Sequence, residues 1–196
     1  MNPSPKIRAI AEEQKSKAIA KAKLVIGAIS IPPIAVALAI GLSSPAIAPT
    51  EAEALVVKQK EQDKVLSKYI NSDTLSDTQL AELLSAVGFT GQDLVEAWAV
   101  AKKETHGNPL AHNGNRKTGD NSYGMFQINM LGGMGADRRE QFGLRSNADL
   151  LNPVVNAKVA YHMSDGGKDW SAWKGLTPKT KAWMKKFPKN FKKAKH

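Results

Sequence analysis

Thr90 to Pro109 reads TGQDLVEAWAVAKKETHGNP, a helix pattern with a defined beginning and end. Its apolar residues recur at the spacing of one helical face. Thr90 and Asp93 have the three-residue spacing of a capping box, with aspartate in place of the usual glutamate. Gly107-Asn108-Pro109 would stop the helix. The stretch therefore predicts a helix that ends near Glu104.

Glu104 falls on the apolar side of this predicted helix. At about 100° per residue, its side chain projects near Ala97 and Ala101. A carboxyl group against apolar neighbours loses hydration, which favours its protonated form. A protonated carboxyl is what a departing glycosidic oxygen requires. The alternative is a structural glutamate that bridges to Lys103 or Arg116, although an acid at a helix C-terminus opposes the helix dipole.

A second run, from Asp120 to Asn129, reads DNSYGMFQIN. Together with AVAKKETHGNP around Glu104, it resembles the lysozyme superfamily, and most closely the lytic transglycosylase domains that phage virions carry. The resemblance extends from about Leu80 to Trp173. It implies a mainly α, lysozyme-like (α+β) helical domain with a catalytic helix and a small loop and strand region.

The resemblance also implies roles for individual residues. Glu104 would be the catalytic acid and base. Gly124 would permit close approach of the backbone to the sugar, and Gln127 would hydrogen-bond the substrate. Asn129 would brace the loop or contact an N-acetyl group.

Aromatic residues have two interpretations each. Tyr123 would stack on a sugar face, and Tyr161 would reach the catalytic glutamate with its hydroxyl group. The alternative places both tyrosines in the hydrophobic core. Trp170 and Trp173 would be stacking platforms or, as we favour, a hydrophobic lid.

The presence or absence of a second catalytic carboxylate separates a hydrolase from a lyase, since most glycosidases use two. In hen-type lysozymes this acid falls two residues before the motif glycine, where this chain has Ser122. Asp120 lies closer to the loop aspartate of goose-type enzymes. A lytic transglycosylase needs one acid, because the muramic acid C6 hydroxyl closes on the anomeric carbon by proximity. The sequence favours the lyase and leaves a muramidase open, with Asp120 as its second carboxylate.

Other site types find little support in the sequence. The chain has no cysteine, which excludes disulfides and thiolate metal sites. Its four histidines lack HExxH-type spacing, and no phosphate-loop lysine follows the glycines at 132–135. We therefore predict neither a metal nor an organic cofactor.

Composition divides the chain into five segments: a basic stretch at 1–23, a hydrophobic segment at 24–48, a helical linker at 49–75, the lysozyme-like domain at 76–174 and a basic tail at 175–196. The net charge of +10 points to anionic partners. From Thr177 onward there are eight lysines and no acid. The tail is either a solvated or disordered segment or a contact for wall polymer, membrane or DNA.

The hydrophobic segment at 24–48 has three interpretations. About nineteen apolar residues can span a bilayer, so it would anchor the protein or insert during phage genome delivery. Ala46-Ile47-Ala48 would be the cleavage site of a signal peptide. The third interpretation buries the segment against other subunits, such as virion or tail proteins. The chain would then act from a phage virion, as a membrane-anchored bacterial enzyme, or as a non-catalytic ejection protein that binds the wall.

Overall fold

The computed structural model describes residues 51–189 and 191. Its helices there are α1 (Glu51–Ser67), α2 (Asp77–Val87), α3 (Gly91–Thr105), α4 (Gly132–Phe142), α5 (Pro153–Met163) and α6 (Pro178–Met184). The mainly helical fold is therefore confirmed. Among the described residues, no helix combines the length and apolar character that crossing a bilayer requires. The predictions for 1–23 and 24–48 lie outside these residues.

Helix α2 begins with a complete capping box. The backbone amide of Gln79 donates to Ser76 Oγ at 3.2 Å, and the amide of Ser76 donates to Gln79 Oε1 at 2.8 Å. These bonds satisfy two amides that the first turn would otherwise leave unpaired. Gly88 follows the helix with a φ of 129°. Ser76 and Asp77 are both residue types that cap helices, so the sequence alone predicts a helix start at one of them, and this prediction is confirmed.

The predicted capping box of α3 is wrong. Thr90 occupies the N-cap with an extended backbone, but its side chain makes no capping hydrogen bond. The Asp93 carboxylate instead accepts from the Lys168 ammonium, which comes from the segment after α5. A charged tertiary partner has replaced the local bond, because a charge-assisted hydrogen bond is the stronger of the two.

The C-terminus of α3 ends in a left-handed residue. His106 has a φ of 59°, and its amide reaches the Ala101 and Lys102 carbonyls. The Gly107 amide also returns to Ala101 O at 3.1 Å. This pairing satisfies carbonyls at the helix end. It stops α3 directly after Glu104 and Thr105, which leaves Glu104 in the last turn.

Three short antiparallel strands follow α3: β1 (His112–Asn113), β2 (Ser122–Tyr123) and β3 (Ile128–Asn129). They form one sheet in the order β1-β2-β3. Tyr123 pairs with His112 on one side and with Ile128 on the other. From the sequence alone, Tyr123 to Asn129 could form a short strand or the start of a helix; in the structure it contains the end of β2, a turn and β3.

The glycines between Met130 and Gly135 predict a connector from the sequence, and this prediction is wrong, because α4 begins within it at Gly132. Gly135 is buried. A Cβ atom at Gly135 would lie 2.1 Å from the Met130 carbonyl oxygen. Glycine therefore allows the helix to turn back tightly against the end of the sheet.

The hydrophobic core is centred on α2 and α3. Its largest fully buried side chains include Trp98 and Phe89. Trp183 and Phe187 contact the Trp98 ring edge-on, with centroid distances of 6.1 and 5.6 Å. Helix α6 thus packs against α3, and the described part of the basic tail belongs to this compact unit.

Helix α1 is joined to α2 through Glu82. The Tyr69 hydroxyl donates to one Glu82 oxygen, and Lys68 Nζ lies 3.0 Å from the other. The bond from Tyr69, assisted by Lys68, holds the pKa of Glu82 below its ordinary value. Burial and the same bond raise the pKa of Tyr69. The linker thus ends in a polar attachment to the domain.

Candidate active site

A cleft of about 520 Å³ lies beside the last turn of α3. Its walls come from the end of α3, the loop and strands from Asn113 to Asn129, and the segment Ala172–Lys174. Four of the residues predicted from the sequence line this one cleft: Glu104, Asp120, Gln127 and Asn129. The sheet thus places the run from Asp120 to Asn129 beside the C-terminal end of α3, which carries Glu104.

Glu104 is 24% exposed, and its carboxylate has a charged partner. Oε1 lies 2.6 Å from the Lys103 ammonium nitrogen. The sequence argument expected apolar surroundings and named the Lys103 bridge as the structural alternative. The bridge is present because Glu104 lies beyond the buried part of α3, where the helix opens onto the cleft.

Gln127 lies in the turn between β2 and β3 with a left-handed φ of 49°. Its side-chain amide donates to the Gly124 carbonyl at 3.0 Å and to the Ala111 carbonyl at 3.3 Å. A left-handed conformation in a non-glycine residue costs about 1–3 kcal/mol and persists only when its surroundings enforce it. These bonds hold Gln127 at the cleft wall.

Asn129 braces the chain between β3 and α4. Its side-chain oxygen accepts from the Leu131 amide at 3.0 Å. Its carbonyl accepts from the Arg138 guanidinium on α4. Burial lowers the pKa of Arg138 from its usual value. These bonds fix the backbone of the cleft wall at Asn129.

Asp120 is held by two donors from the sheet. The Asn113 side-chain amide donates to one carboxylate oxygen at 2.6 Å, and the Ser122 hydroxyl donates to the other. Ser122 is 4% exposed. The carboxylate thereby links β1 to β2, while the residue lines the same cleft as Glu104.

Gly124 and Tyr123 are not among the residues that line this cleft. Gly124 has a φ of 71°, and a Cβ there would lie 2.3 Å from Asn156 Nδ2 and 2.4 Å from the Leu150 carbonyl oxygen. The absence of a Cβ at Gly124 therefore makes room for Asn156 and Leu150 of the same domain. Its predicted role beside the sugar stays a prediction. The Tyr123 ring stacks on His112, with centroids 4.4 Å apart.

Tyr161 is likewise outside this cleft lining. Its ring packs edge-on against Phe89 at 4.9 Å. Trp170 and Trp173 are 4% and 5% exposed, and the Trp173 indole donates to the Phe126 carbonyl at 2.7 Å. All three aromatic side chains pack within the domain, and Trp173 also forms part of the cleft wall.

Asn156 organises the cleft loop and was not predicted as a site residue. It is fully buried on α5. Its oxygen accepts from the Phe126 amide, and its nitrogen donates to the Tyr123 and Leu150 carbonyls, each at 3.0 Å. An amide within the apolar run PVVNAKVAY is the signal that sequence analysis offers for such a role.

A metal-binding cluster is absent from the part of the chain that the structure describes. Within it, no three histidine or carboxylate side chains lie close enough together to hold an ion. The chemistry available in the cleft is that of carboxyl, amide, hydroxyl and ammonium groups.

Comparison with known proteins identifies one family. Residues 81–175 match the model of the family described as "Lysozyme like domain". No curated protein and no solved structure was found to match the chain. The matched segment contains Glu104 and the other predicted residues that line the cleft. Residues 81–175 are thus similar to a lysozyme-like domain, and this similarity fits a peptidoglycan-cleaving enzyme of the glycosidase or lytic transglycosylase type.

Proposed function

We propose that this chain is a lytic transglycosylase of peptidoglycan. It cuts the β-1,4 bond between N-acetylmuramic acid and N-acetylglucosamine and leaves a 1,6-anhydromuramyl end. The observation that carries this proposal is the single cleft in which Glu104, at the end of its helix, faces the loop that bears Gln127 and Asn129.

Glu104 acts twice in the proposed reaction. Its protonated carboxyl gives a proton to the glycosidic oxygen as the bond from that oxygen to muramic acid C1 breaks. The resulting carboxylate then takes the proton of the C6 hydroxyl, whose oxygen bonds to C1. Glu104 thus gives one proton and takes one back, and no water is consumed. Ring closure within one sugar supplies the proximity that would otherwise need an activated water.

The hydrogen bonds of Asp120 support a one-carboxylate mechanism. Asn113 and Ser122 each donate to one of its two oxygens. A carboxylate that braces a sheet is poorly placed to act as a nucleophile or to activate water. Its presence in the same cleft as Glu104 nevertheless favours a muramidase as the second candidate, since hydrolysis by two carboxylates needs both in one site.

Mass spectrometry of the products distinguishes these mechanisms. Peptidoglycan is incubated with the full chain or with Glu104→Gln, and the released muropeptides are identified. Anhydromuramyl products that depend on Glu104 are expected. Reducing-end muramyl products would identify a hydrolase. Binding to peptidoglycan without release by the wild-type chain would indicate a non-catalytic wall-binding protein.

We also propose that the protein is a phage virion component that opens the wall locally during genome entry. The resemblance of the two motifs to virion transglycosylase domains supports this setting. The hydrophobic segment at 24–48 would contact membrane or other virion and tail proteins, and the lysine-rich tail would contact an anionic polymer or DNA. Proteomics of purified particles should detect the chain. Its recovery only from membranes of uninfected cells would instead favour an exported, membrane-anchored bacterial enzyme.

A further inference from the structure

Lys103 contacts the proposed catalytic carboxyl directly. The two residues are consecutive in the last turn of α3, and Lys103 Nζ lies 2.6 Å from Glu104 Oε1. Their side chains are only 13% and 24% exposed. Partial exclusion of water strengthens such a pair relative to one on the open surface.

The same ammonium group also reaches across the cleft. Lys103 Nζ donates to the Trp173 carbonyl oxygen at 3.1 Å. Trp173 in turn is anchored to the cleft loop by the bond from its indole to the Phe126 carbonyl. Lys103 therefore connects Glu104 to the segment that closes one side of the cleft and, through it, to the second motif.

The neighbouring Lys102 has a different environment. Its ammonium pairs with Asp77 Oδ1 at 2.7 Å and donates to the His106 carbonyl at 3.0 Å. It also lies over the Trp98 and Trp183 rings. Consecutive helix residues project about 100° apart, so two adjacent lysines serve two sides of α3. Lys102 does not line the cleft.

We propose that Lys103 is a positioning residue for Glu104 and holds its carboxyl group at the cleft. The inference rests on the proposed function of Glu104. The other charged groups that line the cleft are Asp120, from the loop, and Lys174, after the Trp173 turn. Of the cations, Lys103 is the one bonded to Glu104.

The contact matters for the proposed reaction because Glu104 must lie within reach of two atoms in turn, the glycosidic oxygen and the C6 hydroxyl. A carboxyl group that contacts Lys103, which is itself bonded to the Trp173 carbonyl, keeps one position at the cleft. Loss of the contact should therefore slow the reaction by misplacing the acid.

The test compares full-length Lys103→Met, Lys103→Arg and Lys102→Met with the wild-type chain. For Lys103→Met, we expect kcat to fall on the order of tenfold with little change in KM. Lys103→Arg, which keeps a cation beside Glu104, should restore most of the wild-type kcat. Lys102→Met is the matched control, with the same charge change on the same helix, and should lower the unfolding temperature without lowering kcat.

A kcat of Lys103→Met equal to that of the wild type, or a rise in KM with kcat unchanged, would overturn the proposal. NMR scalar couplings of the Glu104 side chain in the wild-type and Lys103→Met chains supply a test that needs no turnover. Rotamer averaging of Glu104 in the variant alone supports the positioning role, and equal averaging in both chains refutes it. If the wild-type chain released no muropeptides, the proposed function would fail while these couplings still decided the role of Lys103.

Discussion

The helical side and the loop side of the domain are held together by different interactions. On the helical side, α2, α3 and α6 pack around Trp98, which is fully buried. On the loop side, the three strands have two residues each and present only short ladders. Bonds from Asn156, Gln127 and Trp173 to backbone groups fix that loop.

The comparison separates stability from site geometry. Burial of apolar side chains is non-directional and roughly proportional to area, so many helix sequences satisfy it. Hydrogen bonds from a buried amide to specific backbone groups require one position and one orientation. Helix α3 is therefore held mainly by apolar packing, while the shape of the cleft depends on a few polar side chains behind it.

Truncating Trp98 should have the largest effect on folding. Trp98→Ala removes a fully buried ring and its 3.0 Å bond to the Asp77 carbonyl. We expect the free energy of unfolding to fall by about 3–5 kcal/mol, measured by urea denaturation. Activity per folded molecule should change little. Trp98→Phe, which keeps an aromatic ring, should cost less; an equal cost would argue against packing as the cause.

Asn156→Ala should lower both stability and activity. It tests whether the hydrogen bonds of Asn156 hold the cleft loop in its active geometry. It leaves a buried amide and two buried carbonyls without their partner. The expected loss of unfolding free energy is about 1–3 kcal/mol. A drop in kcat should accompany it, because the Phe126 and Tyr123 backbone positions loosen.

The matched control for that prediction is Asn152→Ala on the same helix. Asn152 caps α5 by accepting from the Val154 and Val155 amides. Its loss should cost about 1 kcal/mol while kcat stays unchanged. Equal effects of both variants on kcat would contradict the separate role of the loop side.

Asp120→Asn should have a smaller effect on catalysis if the proposed lyase mechanism holds. The amide still accepts one of the two hydrogen bonds that Asp120 receives, so the sheet persists. We expect release of anhydro products to remain within about tenfold of wild type, a change of about 1.4 kcal/mol in the barrier. A loss similar to that of Glu104→Gln would instead make Asp120 a second catalytic carboxylate.

Glu82→Gln should produce the smallest effect, and only as a dependence on pH. The folded pKa of Glu82 lies below its unfolded value, chiefly through the bond from Tyr69. Its contribution is thus present above the unfolded value and lost as pH falls through the folded one. Thermal unfolding between pH 7 and pH 3 should show a shallower decline for Glu82→Gln. An unchanged decline would assign acid sensitivity to other groups.

Sequence patterns predicted the helices better than the connections between them. Ser76 before α2 and Asn152-Pro153 at the start of α5 predict those helix starts from the sequence alone, because caps act within one turn. The predicted Thr90 cap failed since Asp93 bonds to Lys168, seventy-five residues away. Helix α4 was missed because its glycines favoured a connector, and the contact of Gly135 with Met130 exists only in the folded chain.

The sequence by itself determined that the protein is mainly helical, that Glu104 ends a helix, and that its motifs resemble lysozyme-like enzymes. These features are local or are carried by residue identity. Only the tertiary structure decided that Asp120, Gln127 and Asn129 share the cleft of Glu104, and that Lys103 reaches the Trp173 carbonyl while Lys102 pairs with Asp77. Such contacts join elements distant in sequence, so they depend on how helices and loops pack together.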